Sequence, residues 1–502
     1  MRVDITVVTI HTIQVVWRLY NYYSYYSNVC VHMMHVLMIF FSGGVSVISH
    51  RYIDTDAEEN TTALYLDANN LYGLSMCKPL PYSNFAWLSP ERIQRLARDN
   101  FKGIREWVVG ETGLTLEVDV DIPPAMHDKT CDYPLLAEPL EIDETMISPF
   151  SLACLTAQTG KVRVKNTKLA PNLFNKRNLV VDIETLMFGI SQGAELKHIH
   201  RGVSFQQRAW MKPYIDHNTA KRKATNCEFV KAQCKLLNNA CFGKTLESVR
   251  KYMKIVLVKN GLEHRTQTSK PGMHRFSIFS DKLVGVEMLL PKVVLDRPIS
   301  SGFCILESSK LFMQKTHYEV FKPLLKAKVA LTDTDSYVYK CDFGEEEFLD
   351  RMQSVSKYMD FSNYPKDHVL YSGKNKAIPG LFKDEVAGRR ISSFVGVRSK
   401  LYSLELQEYY GPLARDALAP SETTKRAMAG TREAFARHLG HADFKDVIFN
   451  GGSRHVKQKR IKSKGHVLTE VEESKLTMWP YDDKRFLLDA VNTRAHGHFR
   501  NV

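Results

Sequence analysis

Apolar and polar positions alternate from Ala63 to Asp67, which predicts a strand ending on a carboxylate, and Ala68 to Met76 then turns into a helix. A second alternating run spans Ala330 to Tyr339. Its centre, Thr332–Asp333–Thr334–Asp335–Ser336, lies between apolar, β-branched and aromatic flanks and reads as strand–turn–strand. Ser308 to Phe321 carries apolar residues at helical spacing just upstream. His217 to Ser248 is mainly helical, Pro365 to Leu406 is strand and loop leading to Lys400 and Tyr402, and Thr424 to Leu439 has a helical pattern. The long stretch from Pro79 to about Thr219 is mixed and locally acidic, and no internal repeat or low-complexity tract appears. The first 42 residues are rich in Tyr, Val and Met and lack helix or strand punctuation. Their apolar run, Val29 to Phe41, is interrupted by His32 and His35 and falls short of the roughly 20 residues of a membrane span. Arg2 alone is a poor start for a signal peptide. The reading is an atypical leader and no membrane segment.

The two alternating runs place three carboxylates, from distant parts of the chain, at strand ends. Asp333 and Asp335 share one face if the strand continues, and can point at one site if it turns. Magnesium is held by one or two carboxylates together with substrate phosphates, and two such ions about 3.5–4 Å apart stabilise both the attacking and the leaving oxygen of an in-line displacement. Between the runs, a basic helical stretch starts at Lys221 and leads to Lys235–Leu236–Leu237–Asn238–Asn239–Ala240–Cys241–Phe242–Gly243–Lys244. Lys223, Lys231 and Lys235 are spaced by eight and four residues, which returns them near one helix face where they could meet a triphosphate. Alone, the acidic segment reads equally as an ordinary surface hairpin and the basic helix as a solvated face. Their occurrence together favours a phosphate site.

The three segments resemble motifs A, B and C of family B DNA polymerases. Motif A, of the D-x-x-S-L-Y type, is Asp67 to Tyr72 with Asn70 in place of Ser. Motif B, of the K-x-x-x-N-S-x-Y-G type, is Lys235, Asn239, Ala240, Phe242 and Gly243. Motif C, of the Y-x-D-T-D-S type, has Leu331 in place of Tyr. Lys400–Leu401–Tyr402 is similar to the K-x-Y motif at the primer end. The phrases Tyr364–His368, Pro379–Asp384, Phe394–Tyr402, Lys212–His217 and Tyr481–Arg485 resemble the protein-primed subgroup, in particular its Polinton/Maverick transposon and viral members. The resemblance runs from about Gly43 to His498 and implies an α+β right-hand polymerase fold with a palm sheet, helical fingers and a thumb. It divides the chain into a leader (1–42), the start of the palm with motif A (43–78), an insertion of the terminal-region type (79–216), fingers (217–254), palm with motif C and the K-x-Y segment (255–406) and thumb (407–502). By resemblance that insertion grips the priming protein and the duplex.

It also implies roles. Asp67 and Asp335 would be metal ligands with Asp333 beside them, and the Ala68 carbonyl would complete the leaving-group metal. Two magnesium ions, or manganese in their place, would be the cofactors. Lys223 and Lys235 would hold the incoming triphosphate, Tyr72 would exclude a 2′-hydroxyl, and Asn239 and Phe242 would shape the pocket. Lys400 and Tyr402 would steady the primer end. The partners would be primer–template DNA, deoxynucleoside triphosphates and a terminal priming protein. The departures Ala240 and Leu331 remove a hydroxyl and an aromatic but no metal ligand.

Composition agrees. The 502 residues carry a net charge of +14, which suits a polyanionic partner. The charge is clustered: Lys221 to Lys254 holds nine Lys/Arg against Glu228 and Glu247, and Arg454, Lys457, Lys459, Arg460, Lys462 and Lys464 form a run with no acidic residue, read as a thumb contact to DNA phosphates. Nine cysteines without a C-x-x-C pair suggest neither a zinc site nor a disulfide framework. Val181–Asp182–Ile183–Glu184–Thr185 looks like the D-x-E of a proofreading exonuclease, but it follows motif A instead of preceding it, and His198/His200 and His496/His498 lack further ligands at metal spacing. With only 66 residues before Asp67, the expectation is an N-terminally truncated polymerase without proofreading. The alternative is a catalytically inert DNA-binding remnant of a transposon polymerase. A reverse transcriptase is disfavoured because Thr334 separates Asp333 from Asp335, where such enzymes carry adjacent aspartates.

Overall fold

The structure, a computed structural model, describes residues 43–98, 103, 111–160, 164–409, 424–428 and 439–501. The leader expected over residues 1–42 lies outside them. At the centre is a six-stranded sheet in the order Ser46–Ile48, Ala327–Asp333, Ser336–Cys341, Thr62–Ala68, Phe382–Asp384, Met359–Asp360. It is antiparallel except for its last pair. The strand Thr62–Ala68 is apolar at nearly every position up to Asp67 because both of its faces are buried. Leu64, Leu66 and Ala68 pack with Met313, Phe321, Tyr337, Tyr339 and Phe382 under the long helix Ile299–Thr316 and its extension His317–Phe321. Ala63 and Tyr65 face the other way and pack with Val338 of the same sheet and with Ile391, Phe394 and Tyr402 of a second sheet. That sheet runs Thr424–Met428, Leu401–Tyr409, Arg389–Arg398, Tyr52–Asp54, all antiparallel.

The expected helix from Thr424 to Leu439 is corrected in its first part: Thr424–Met428 is a strand, because it completes the edge of the second sheet against Leu401–Glu405. Residues 429–438 lie outside the described residues. The interval 79–216 builds its own four-stranded sheet, Leu80–Trp87, Glu195–Arg208, Thr112–Asp121, Lys176–Asp182, around an apolar core that includes Leu114, Leu116, Val118 and Val120. The segment after motif B does not join the central sheet directly. Met253–Val258, Leu283–Leu289 and Met273–Ser280 form a five-stranded sheet with Val467–Met478 and Arg454–Lys464, joined by a parallel contact at Ile278 and Val467. The C-terminal segment returns to the centre: the buried Arg51 guanidinium donates to the carbonyls of Val397 and Pro480, and Arg485 Nη1 donates to the Cys131 carbonyl at 2.7 Å.

Candidate active site

The strand and hairpin ends that carry Asp67, Asp333 and Asp335 lie side by side at one end of the central sheet. Ser336 and Lys383 flank Asp67 on its two neighbouring strands, Ser46 lies opposite Asp333, and Asp360 lies opposite Lys383. Residues directly across a ladder project to the same side. Asp67 therefore emerges with Lys383 on the face that Tyr65 and Tyr402 share. The turn between Asp333 and Ser336 is tight: Thr334 adopts a left-handed φ of 70°, and Asp335 N–H donates to the Asp333 carbonyl at 2.8 Å. Thr334 N–H donates to the Val45 carbonyl at 2.7 Å, and a Cβ on neighbouring Gly44 would lie 2.6 Å from the Thr334 side chain, so glycine is needed for this approach. The Asp335 carbonyl accepts from Ala68 N–H at 2.7 Å, tying the hairpin to the end of the Asp67 strand.

Charge at this edge is not fully balanced. Burial and then the like charge of Asp333 push the Asp335 carboxyl above its ordinary range, against its own backbone N–H and the ammonium groups of Lys235 and Lys400. Lys400 Nζ lies 2.6 and 2.9 Å from the two oxygens of Asp333. Oxygen donors of this kind suit magnesium, but among the described residues no three His, Cys, Asp or Glu side chains are gathered closely enough to hold a metal ion. Asp67, Asp333 and Asp335 offer only oxygen donors, the chemical type a hard divalent cation takes, and Lys400 occupies both oxygens of Asp333.

The aromatic neighbours are ordered. Tyr72 stacks on Phe242, with ring centroids 4.0 Å apart and planes 16° from parallel. Burial and then Asp335 and Asp333 push the Tyr72 hydroxyl up to about 12. Tyr402 and Tyr65 share a 2.7 Å hydrogen bond between hydroxyls, which anchors the strand after Lys400 to the strand that ends on Asp67. Lys400 itself has φ 60° in the connection between its two strands.

The single helical face expected for Lys223, Lys231 and Lys235 is corrected. Two helices, Lys212–Ala224 and Glu228–Thr245, form a hairpin broken at Thr225 to Cys227, where Thr225 Oγ1 accepts from Cys227 N–H. Lys223 lies in the last turn of the first helix and is exposed, whereas Lys235 and Asn239 are exposed on the second. Lys231 pairs with Glu228 at 2.7 Å. The hairpin is closed by a buried amide pair, Asn218 Nδ2 donating to Asn238 Oδ1 at 2.9 Å.

Arg454 to Lys464 is the strand expected to be free of acidic residues in sequence, but its partner strand supplies them. Lys459 pairs with Glu470 at 2.9 Å, Arg460 with Glu473 at 2.6 Å, Lys462 also with Glu473, and Arg454 with Asp443 and Asp446. Lys457 makes no ion pair among the described residues and is exposed. The D-x-E pair has a local use: Asp182 caps the helix Ile183–Ser191, its Oδ1 accepting from Glu184 N–H at 2.9 Å. His200 pairs with Asp119 and His498 with Asp128, and His496 bonds to the Asp483 carbonyl.

Two contacts escaped the sequence. Asp360 accepts from Asn69 Nδ2 and from Ala377 N–H, both at 2.8 Å, next to the Asp67 strand end. Lys484, from the C-terminal segment, donates to the Ser46 carbonyl at 2.8 Å beside Asp333. Neither the residues around Asp360 nor the phrase Tyr481–Arg485 gives a sign of these partners, because Asp360–Asn69 and Lys484–Ser46 join positions far apart in the chain.

The comparisons with known proteins bear on the whole arrangement. The chain superposes on solved structures of phi29 DNA polymerase: the orthorhombic crystal form at a TM-score of 0.54 and 12% identity, and the primer–template complex at 0.52 and 13%. The complex of that polymerase with primer–template DNA and incoming nucleotide gives 0.51 and 13%. The chain shares the polymerase fold. Each alignment covers 89% of this chain and 62–63% of the other, so the chain spans about three fifths of the length of those structures. No protein-family model matches the chain, and no curated protein matches it in sequence. Among the described residues no helix is long and apolar enough to cross a membrane.

Proposed function

We propose that the chain is a DNA-directed DNA polymerase of the protein-primed, Polinton/Maverick-like kind, extending a primer 3′ end with deoxynucleotides. The observation that carries this reading is that the strand ending on Asp67 and the tight hairpin of Asp333 and Asp335 lie side by side at one sheet end, where Tyr72, stacked on Phe242, is close enough to both hairpin carboxylates to feel their charge. The polymerase fold supports it. In the reaction, the primer 3′-oxygen bonds to the α-phosphorus while the bond to the leaving pyrophosphate breaks. Asp67 and Asp335 would hold divalent metal, with the Ala68 carbonyl beside them. Metal ions, when bound, stabilise charge on the attacking and leaving oxygens. Lys235, and Lys223 at the end of the neighbouring helix, would neutralise the triphosphate. Lys400 would exchange Asp333 for the primer end, and Tyr402, fixed by Tyr65, would hold the strand on which it moves. Asn239 would line the base-pair pocket. The partners would be primer–template DNA, nucleotides and a priming protein. Asp182 and Glu184 would add no proofreading, because Asp182 is committed to its helix.

Two observations favour a second reading, an inert DNA-binding remnant: Lys400 covers both oxygens of Asp333, and among the described residues no three-carboxylate group is assembled. Primer extension with magnesium separates the two. The polymerase reading expects template-directed extension, lost by at least a hundredfold in Asp335→Asn while primer–template affinity is kept. Parent protein that binds DNA yet adds no nucleotide with magnesium or manganese would establish the remnant.

A further inference from the structure

The segment from Val369 to Lys383 is built onto the Asp67 strand end. Gly380 N–H donates to the Asn69 carbonyl at 2.7 Å, Asn69 N–H donates to the Leu381 carbonyl at 2.9 Å, and Asp360 holds Asn69 and Ala377 together. Asn375 Nδ2 donates to the Met359 carbonyl at 2.9 Å. Irregular as far as Leu381 and joined to the central sheet at Phe382 and Lys383, the segment is therefore fixed relative to the carboxylates. Its outward side chains are apolar or basic. Tyr371 is 38% exposed and Ile378 36%, Lys374 and Lys376 are exposed, and Lys383 projects on the Asp67 face. None of these three lysines has an ion pair among the described residues, nor does the Tyr371 ring contact another aromatic ring or a cation there. In the sheet Lys383 lies between Asp67 and Asp360, and Asp360 is already engaged by Asn69, Ala377 and Ser362. The contrast with the thumb-like strand, whose cations are mostly paired with glutamates, is direct.

Unpaired cations beside an exposed aromatic ring are the pair of features that binds single strands: lysines follow the phosphates and the ring stacks a base whose face is free. A duplex offers its phosphates but hides its base faces. We propose that Val369 to Lys383 is a track for single-stranded template entering the site, with Tyr371 stacking a base and Lys374, Lys376 and Lys383 meeting backbone phosphates. The identity of the strand as template rests on the polymerase reading; the chemistry of the track does not.

The test is fluorescence anisotropy on full-length protein with two ligands, a primer–template with a single-stranded template overhang and a blunt duplex of equal length. Tyr371→Ala should weaken the overhang ligand on the order of 10-fold, and Tyr371→Phe should not. Lys374→Gln with Lys376→Gln should lower the slope of log affinity against log salt by about 0.7 per charge on the overhang ligand. Blunt-duplex affinity should stay unchanged. Equal losses on both ligands, or none, would overturn the track. So would unchanged DNA binding with a raised nucleotide KM in Lys383→Gln, which would assign that lysine to the triphosphate. Parent protein that binds overhang DNA but never extends it would sink the polymerase reading and leave the track standing.

Discussion

At the residue scale, the stacked pair Tyr72–Phe242 offers the sharpest test of substrate choice. A ring held flat against its neighbour at 4.0 Å cannot retreat from a bulkier sugar. Tyr72→Val is expected to raise ribonucleotide insertion relative to deoxyribonucleotide in single-turnover extension. Phe242→Ala, which leaves Tyr72 in place but unsupported, should shift the same ratio by a smaller amount. Unchanged ratios in both would mean that the pair faces no sugar. Asp182 allows a different measurement. Burial first, and then Glu184 and Glu307, raise its carboxyl from 3.8 to about 7, against the Glu184 N–H and Lys78. A folded-state pKa above the unfolded one means that the folded protein keeps a proton the unfolded chain releases, so this group's contribution is best below 3.8 and is lost as pH rises through about 7. Asp182→Asn keeps the helix cap without the charge. Its melting temperature should gain on the parent between about pH 5 and about pH 8, and an equal difference at both would refute the assignment. The sequence made Asp67, Asp333 and Asp335 legible because acidic ends on apolar strands stand out locally. It could not show Lys400 on Asp333, a contact spanning 67 positions.

At the scale of elements, what was legible followed local period and what was missed depended on a partner. The strand into Asp67, its following helix and the hairpin at Thr334 come from alternation and turn residues, and the structure has them at Thr62–Ala68, Leu71–Met76 and Ala327–Cys341. The helix expected from Ser308 is longer at its start, reaching back to Ile299, because its first turns are buried on nearly every side and so lack an amphipathic stripe. The basic region from Lys221 reads as one helix because charge spacing alone carries no information on the break at Thr225. What holds the resulting hairpin is the Asn218–Asn238 bond, buried and 2.9 Å long. Asn238→Ala leaves the Asn218 amide unpaired in the same place, which costs about 1–3 kcal/mol. Equilibrium unfolding in urea should show a lowered midpoint with an unchanged slope, and Asn218→Ala combined with Asn238→Ala should cost less than the two single changes summed. Strict additivity would mean that the two amides act apart.

At the scale of the whole molecule, the question is how a net charge of +14 is presented to DNA. The strand Arg454–Lys464 looked like a continuous phosphate contact in sequence, but pairing with Val467–Met478 places Glu470 and Glu473 beside its cations. That partner strand follows directly in the chain, yet only the register decides which cation meets which acid. Exposed pairs of this kind contribute about 0–1 kcal/mol each, so a phosphate can displace them, but the glutamate charge stays in place and opposes it. Replacing Lys457, Lys459 and Arg460 should therefore flatten the salt dependence of duplex binding by nearer ~0.9, the value for one freed cation, than by three times that amount. The reverse change is more telling. Glu473→Gln releases both Arg460 and Lys462 without altering the cations themselves. It should tighten duplex binding at low salt and steepen the slope toward two additional phosphate contacts, about 1.8. A slope that stays put would show that this strand faces away from DNA, and that the excess charge acts through the unpaired lysines near Asp67 and on the helical hairpin instead.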